Sequence, residues 1–146
     1  MALDRQGTGL VIIRLCLGVF LIFQAVAKLR WFMDPSILDG QLSLWLMNAD
    51  AGSISQVYLQ RIAIPGVQLF ARLVPLGEFF CGAALLAGFS TSLFALIAFV
   101  MVFNYQIASG AMFELSFLAN RSALPVLGST LGLAIGGVRL PWSIRP

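Results

Sequence analysis

The chain contains no histidine, and its 146 residues include only 2 cysteines, 6 acidic side chains and 9 basic ones. Without histidine, the commonest ligand for haem iron, zinc or copper is missing. Cys16 and Cys81 are too far apart for a C-x-x-C redox motif, and each lies in an apolar stretch where a thiol behaves as a small hydrophobe. A metal held by this chain alone is therefore not expected. Charged residues make up 10% of the sequence and hydrophobic residues 60%, against about 25% and about 45 to 50% in ordinary soluble domains. That balance is the balance of a membrane protein. The net charge of +3 is small and its basic residues are scattered. They read as anchors at the membrane edge, and nucleic acid is not expected as a partner.

The apolar residues are distributed as spans within a single domain, 1–146. Residues 9–29 are long enough to cross about 30 Å of hydrocarbon, and are too long and too polar for a signal-peptide core. Residues 66–88 form a second expected span, opened by Pro65-Gly66 and carrying Pro75, where a kink is expected because proline removes a backbone donor. Residues 91–110 follow after a very short connection, so the second and third spans should make an antiparallel hairpin. Residues 122–138 form a fourth, shorter span. It is rich in Gly128, Ser129, Thr130, Gly132, Ala134, Gly136 and Gly137, small residues that let helices approach closely in lipid. The expected fold class is all-α, an integral membrane four-helix bundle with multiple passes.

The one long connection, 30–64, is not featureless. From Leu38 the pattern puts Leu42, Trp45 and Leu46 on one helical face. From Ser53, a capping residue, it puts Ile54, Val57, Tyr58 and Ile62 on one face. Both segments read as interfacial helices in the loop between spans one and two. Trp31, Trp45, Tyr58 and Trp142 suit the water–lipid boundary, and Arg72 is expected to snorkel towards it. Arg5, Arg139 and Arg145 on the terminal side nearly balance Lys28, Arg30, Arg61 and Arg121 on the other, and the count leans to cytoplasmic termini.

Against this background Glu78 stands out in LVPLGEFFCGAALLAG, because an ionised group near a bilayer centre costs roughly 2.5 to 3.5 kcal/mol on insertion scales. Counting at about 1.5 Å per residue from a shared membrane face brings Glu78 level with Asn104, Ser129 and Thr130. The same count leaves Arg14 offset from Glu78 by about 9 Å, which a guanidinium side chain can span. Residues 14, 18, 21, 25 and 28 share one stripe of the first helix, so Arg14, Gly18 and Lys28 should all face the bundle. Gly18 and Gly82 should each admit a neighbouring helix. The residues are compatible with a structural lock between Arg14 and Glu78. They are also compatible, as the less favoured reading, with a pocket for a quinone head group or small anion, or with a proton path.

The motifs R-L-x-L-G from Arg14 to Gly18 followed by Lys28, G-E-x-x-x-G-x-x-x-x-x-G-x-x-T from Gly77 to Thr91, and F-N-Y-x-x-A-x-G from Phe103 to Gly110 resemble the DoxX family. These are small four-helix membrane proteins of bacteria and archaea, which implies an inner (cytoplasmic) membrane location. The resemblance covers about 10–138. It implies an integral subunit of a larger electron-transfer complex, a quinone-linked oxidoreductase or a respiratory or photosynthetic assembly, in which partner subunits hold the redox centres. It also carries over Arg14, Lys28, Glu78 and Asn104 as the candidate polar pocket, the first three on the general pattern and Asn104 on a subgroup. Quinone or lipid is the expected ligand at that interface, the bilayer and other membrane subunits are the expected partners, and independent enzyme activity is not expected. Two alternatives remain open on the residues: a purely structural accessory subunit packing against partner helices, and a small-solute carrier with Glu78 as a proton-coupled site.

Overall fold

A computed structural model describes residues 5–113, 117, 123–140 and 142–144. Helix α1, Arg5–Ala27, buries Val11, Arg14, Leu17, Gly18, Leu21 and Ala25 along one stripe. At about 1.5 Å per residue its 23 residues reach about 34 Å. The chain breaks at Lys28, where the short helix α2, Leu29–Met33, begins. Helix α3, Ser36–Asn48, and helix α4, Ile54–Tyr58, complete the connection, and a π-helical turn over Leu59–Ala63 extends α4. Helix α5, Val67–Ala87, runs unbroken through Pro75 and ends at Gly88, whose left-handed φ of +72° turns the chain towards helix α6, Thr91–Ala108. Helix α7, Leu124–Gly136, passes into a 3-10 turn at Gly137–Arg139. Among the described residues there is no strand.

Three of these helices, α1, α5 and α6, are long and apolar enough to cross a membrane. Their outward faces explain why the protein needs lipid. Ile12, Val19, Phe23 and Val26 of α1 and Leu93, Leu96 and Val100 of α6 are all exposed, Phe23 to 70%. Apolar surface on that scale belongs in hydrocarbon. The chain is a multi-pass membrane protein. The expected fourth span is represented by α7, whose 13 residues reach about 20 Å, short of the hydrocarbon thickness. The expected start of that span, at Ser122, lies outside the described residues.

Around the bundle axis α1 packs on α5, α5 on α6, α6 on α7, and α7 back on α1. The closest approach is between α1 and α5. A Cβ added to Gly82 would lie 2.9 Å from the Gly18 carbonyl oxygen and 3.0 Å from the Ile22 nitrogen, so the two backbones touch there. This is the small-residue crossing that Gly18 and Gly82 lead one to expect. Gly128 and Gly132 of α7 behave differently, because among the described residues nothing lies within 4 Å of a Cβ built on either.

The long connection folds as a second packed layer. Leu38 and Leu42 of α3, Leu59 and Ala63 of the π turn, Ala71 of α5 and Ala108 of α6 form a core distinct from that of the bundle, with Trp45 and Leu46 packed against it. On α3 the expected apolar face turns onto this core through Leu42, Trp45 and Leu46. On α4 and the π turn Ile54, Val57 and Ile62 of the expected apolar face point outward, as an interfacial helix requires, Ile54 being 63% exposed, while Ser55, Leu59 and Ala63 are buried. Ser55 turns inward to donate to the Ala108 carbonyl at 3.0 Å. The capping role of Ser53 holds, its Oγ accepting from the Gln56 amide at 3.1 Å.

Candidate functional site

Glu78 lies on the buried stripe of α5, between Pro75 and Cys81, and is 8% exposed. A carboxylate so placed needs a partner, because burial removes the water that would otherwise stabilise its charge. The partner is Lys28. Its ammonium forms an ion pair with Glu78 Oε1 at the point where α1 gives way to α2. Lys28 also donates to Gln24 Oε1 at 3.4 Å, one turn back on α1, and its Nζ lies 5.7 Å from the ring centre of Trp31 and 6.0 Å from that of Tyr105. The Gln41 side chain of α3 interacts with the Tyr105 hydroxyl, and Trp45 meets the Tyr105 ring edge-on at a centroid distance of 5.1 Å.

The result is a charged pair walled by aromatic rings, at the seam between the bundle core and the second layer. Tyr105, on its outer side, is 39% exposed. Glu78 Oε2 is buried and has no hydrogen-bond partner among the described residues. Chemically, the site offers an ammonium that donates to a carbonyl oxygen, a spare carboxylate oxygen that accepts from a hydroxyl, and apolar ring walls, which together suit a small planar group bearing both.

The expected coupling of Arg14 to Glu78 is not what forms. Arg14 is fully inside the bundle but belongs to its other end, donating from Nη1 to Ser143 Oγ at 2.9 Å and from Nη2 to the Trp142 carbonyl at 3.2 Å. Its guanidinium lies beside Gly88, ten residues beyond Glu78 on the sequence and so about 15 Å along the helix. The count from a shared membrane face failed because α1 and α5 do not start level. The first half of α5 runs past the end of α1, alongside α2 and α3.

Of the remaining expected members, Asn104 is half-buried on α6 and makes no hydrogen bond to the pair among the described residues. Thr130 is buried but turns its hydroxyl back onto its own helix, donating to the Val126 and Leu127 carbonyls at 2.8 and 3.0 Å. Arg72 is exposed, as a snorkelling residue should be. Gln24, Trp31, Gln41 and Tyr105 were not among the expected site residues. Tyr105 was within view, being the neighbour of Asn104 in F-N-Y, and a half-apolar ring with one polar tip is the kind of residue that flanks a buried charge.

No curated protein and no solved structure matches the chain. The DoxX family model matches residues 9–109, which takes in Arg14, Lys28, Glu78 and Asn104 together with the whole of the second layer. With more than half of its length inside that match, the chain belongs to the DoxX family.

Proposed function

We propose that this chain is a four-pass integral subunit of a larger quinone-linked electron-transfer complex in a bacterial or archaeal inner membrane, and that Lys28 and Glu78 receive the quinone head group. The observation that carries the reading is an ammonium flanked by two aromatic rings, a donor for a quinone carbonyl, beside the Oε2 of Glu78, which has no partner among the described residues and can accept from a quinol hydroxyl. A quinone carbonyl accepts from the Lys28 ammonium, its ring lies flat against Trp31 or Tyr105, and its tail extends into lipid past Tyr105. Reduction to the quinol would take two electrons from a redox centre held by a partner subunit and two protons from water, with Lys28 and Glu78 placed to relay protons to the carbonyl oxygen. The expected experiment is purification in mild detergent, which should bring down redox-active partners. Glu78→Gln should then depress quinone turnover by the complex at least tenfold while leaving its assembly intact.

A second reading has its own observation. Gly128 and Gly132, one turn apart on α7, face outward with open space before them, a surface on which a partner's helix packs closely. If that contact is the whole role of the chain, Glu78→Gln changes assembly or nothing, and quinone turnover per assembled complex stays at the wild-type rate.

A further inference from the structure

Gln41 and Trp45 stand one helical turn apart on α3, so both side chains leave the same face of that helix. That face meets Tyr105 of α6 twice. The Gln41 side chain interacts with the Tyr105 hydroxyl, and the Trp45 ring stands edge-on to the phenol ring at 88°, with centroids 5.1 Å apart. Tyr105 is thereby held at its polar tip and at its ring by an element far from it in sequence. The mount is firm, because Leu38 and Leu42 of α3 are buried in the core that Leu59, Ala63, Ala71 and Ala108 complete.

Tyr105 has need of such holding. At 39% exposure its ring has room to turn between rotamers. The same ring is one of the two that flank the Lys28 ammonium, its centre 6.0 Å from Nζ. An edge-on aromatic neighbour favours one ring plane, because the positive edge of one ring is drawn to the negative face of the other. A wall fixed before the ligand arrives spares the ligand the cost of ordering it.

We infer that Gln41 and Trp45 are positioning residues, which act through Tyr105 and, by fixing its ring, set the affinity of the Lys28–Glu78 site for a planar quinoid head group. These roles presuppose the quinone reading of that site. A wall that lies flat against the ring holds the bound quinone and the transition state of proton transfer equally well, so its loss raises KM and leaves kcat alone.

The test is quinone reduction by the complex purified in mild detergent, with a short-tailed benzoquinone as the varied substrate. Gln41→Leu and Tyr105→Phe each remove one half of the contact at the hydroxyl and keep the Tyr105 ring or its phenyl equivalent. Each should raise KM about three- to tenfold with kcat within about twofold of wild type, and the double variant should raise KM no further than either single one. Trp45→Leu should raise KM by a similar factor, and Trp45→Phe, which restores an aromatic edge, should bring it back towards wild type. Trp45 also packs on the second core, whereas Gln41 lies outside it, so Gln41→Leu carries the test should Trp45→Leu fail to fold. Positioning by α3 is overturned if Gln41→Leu and Tyr105→Phe keep the wild-type KM, if their effects multiply in the double variant, or if kcat falls at unchanged KM, while Glu78→Gln still depresses turnover. If Glu78→Gln leaves turnover at the wild-type rate, the quinone reading itself fails, and the positioning role falls with it.

Discussion

The Lys28–Glu78 pair illustrates what a charge demands once it leaves water. Each partner alone is a liability in a low-dielectric surrounding, and only together are they tolerable. Lys28→Met is therefore expected to destabilise the protein by about 3 to 5 kcal/mol, and adding Glu78→Leu to it should restore most of that loss. Unfolding in detergent, run as a double-mutant cycle, measures both; additive losses would mean the two residues do not act as a pair. Gly88 makes a different demand, on backbone and space at once. At φ +72° a side chain is disfavoured, and the space that a Cβ needs is taken by Arg14 and the Trp142 carbonyl. Gly88→Ala should cost more than the roughly 1 to 2 kcal/mol of the left-handed conformation by itself. A thermal midpoint equal to wild type would show that the C-terminal segment does not press against this turn.

Among the elements, the α1–α5 crossing and the caps of the connecting helices have the clearest local causes. Gly82→Val places methyl groups into the α1 backbone and should cost about 1 to 3 kcal/mol or separate the two helices. Cross-linking across the crossing would report the separation. Asp34, outside the spans, accepts from the Ser36 amide at 3.0 Å and the Ser36 hydroxyl at 2.6 Å, and these bonds hold its carboxyl below the ordinary carboxylate range. Because the folded value is the lower one, the contribution of this group to the start of α3 is complete above the ordinary range and is lost as pH falls through the folded value. A carboxyl titration by NMR should find Asp34 titrating below its value in a peptide of the same sequence.

For the whole molecule, the presence of two cores rather than one has mechanical consequences. Leu59 is fully buried in the second layer and makes no part of the bundle core. Leu59→Ala should cost about 2 to 5 kcal/mol locally. Hydrogen exchange should then accelerate over residues 36–63 while α1 and α7 stay protected, an outcome that a single cooperative core would not give. The candidate quinone site lies on the seam between the two layers, so loosening the second layer should also weaken the environment of Lys28.

Much of this was legible in the chain before any coordinates. Composition and run length dictate a multi-pass helical membrane protein, because continuous apolar runs of about 20 residues cross about 30 Å of hydrocarbon as helices, whose backbone groups are satisfied internally. The stripe 14, 18, 21, 25 and 28 follows from helical periodicity, and a close helix approach at Gly18 and at Gly82 from the need of close-packed helices for small residues, although that the two glycines meet each other does not. Tertiary structure alone decided which cation Glu78 meets, because the axial offset of α1 against α5 is set by how the second layer stacks on the end of α1, and no periodicity within either helix encodes that offset. It also decided which face of α4 turns inward, since in lipid both the core and the surroundings are apolar and the hydrophobic stripe no longer distinguishes them.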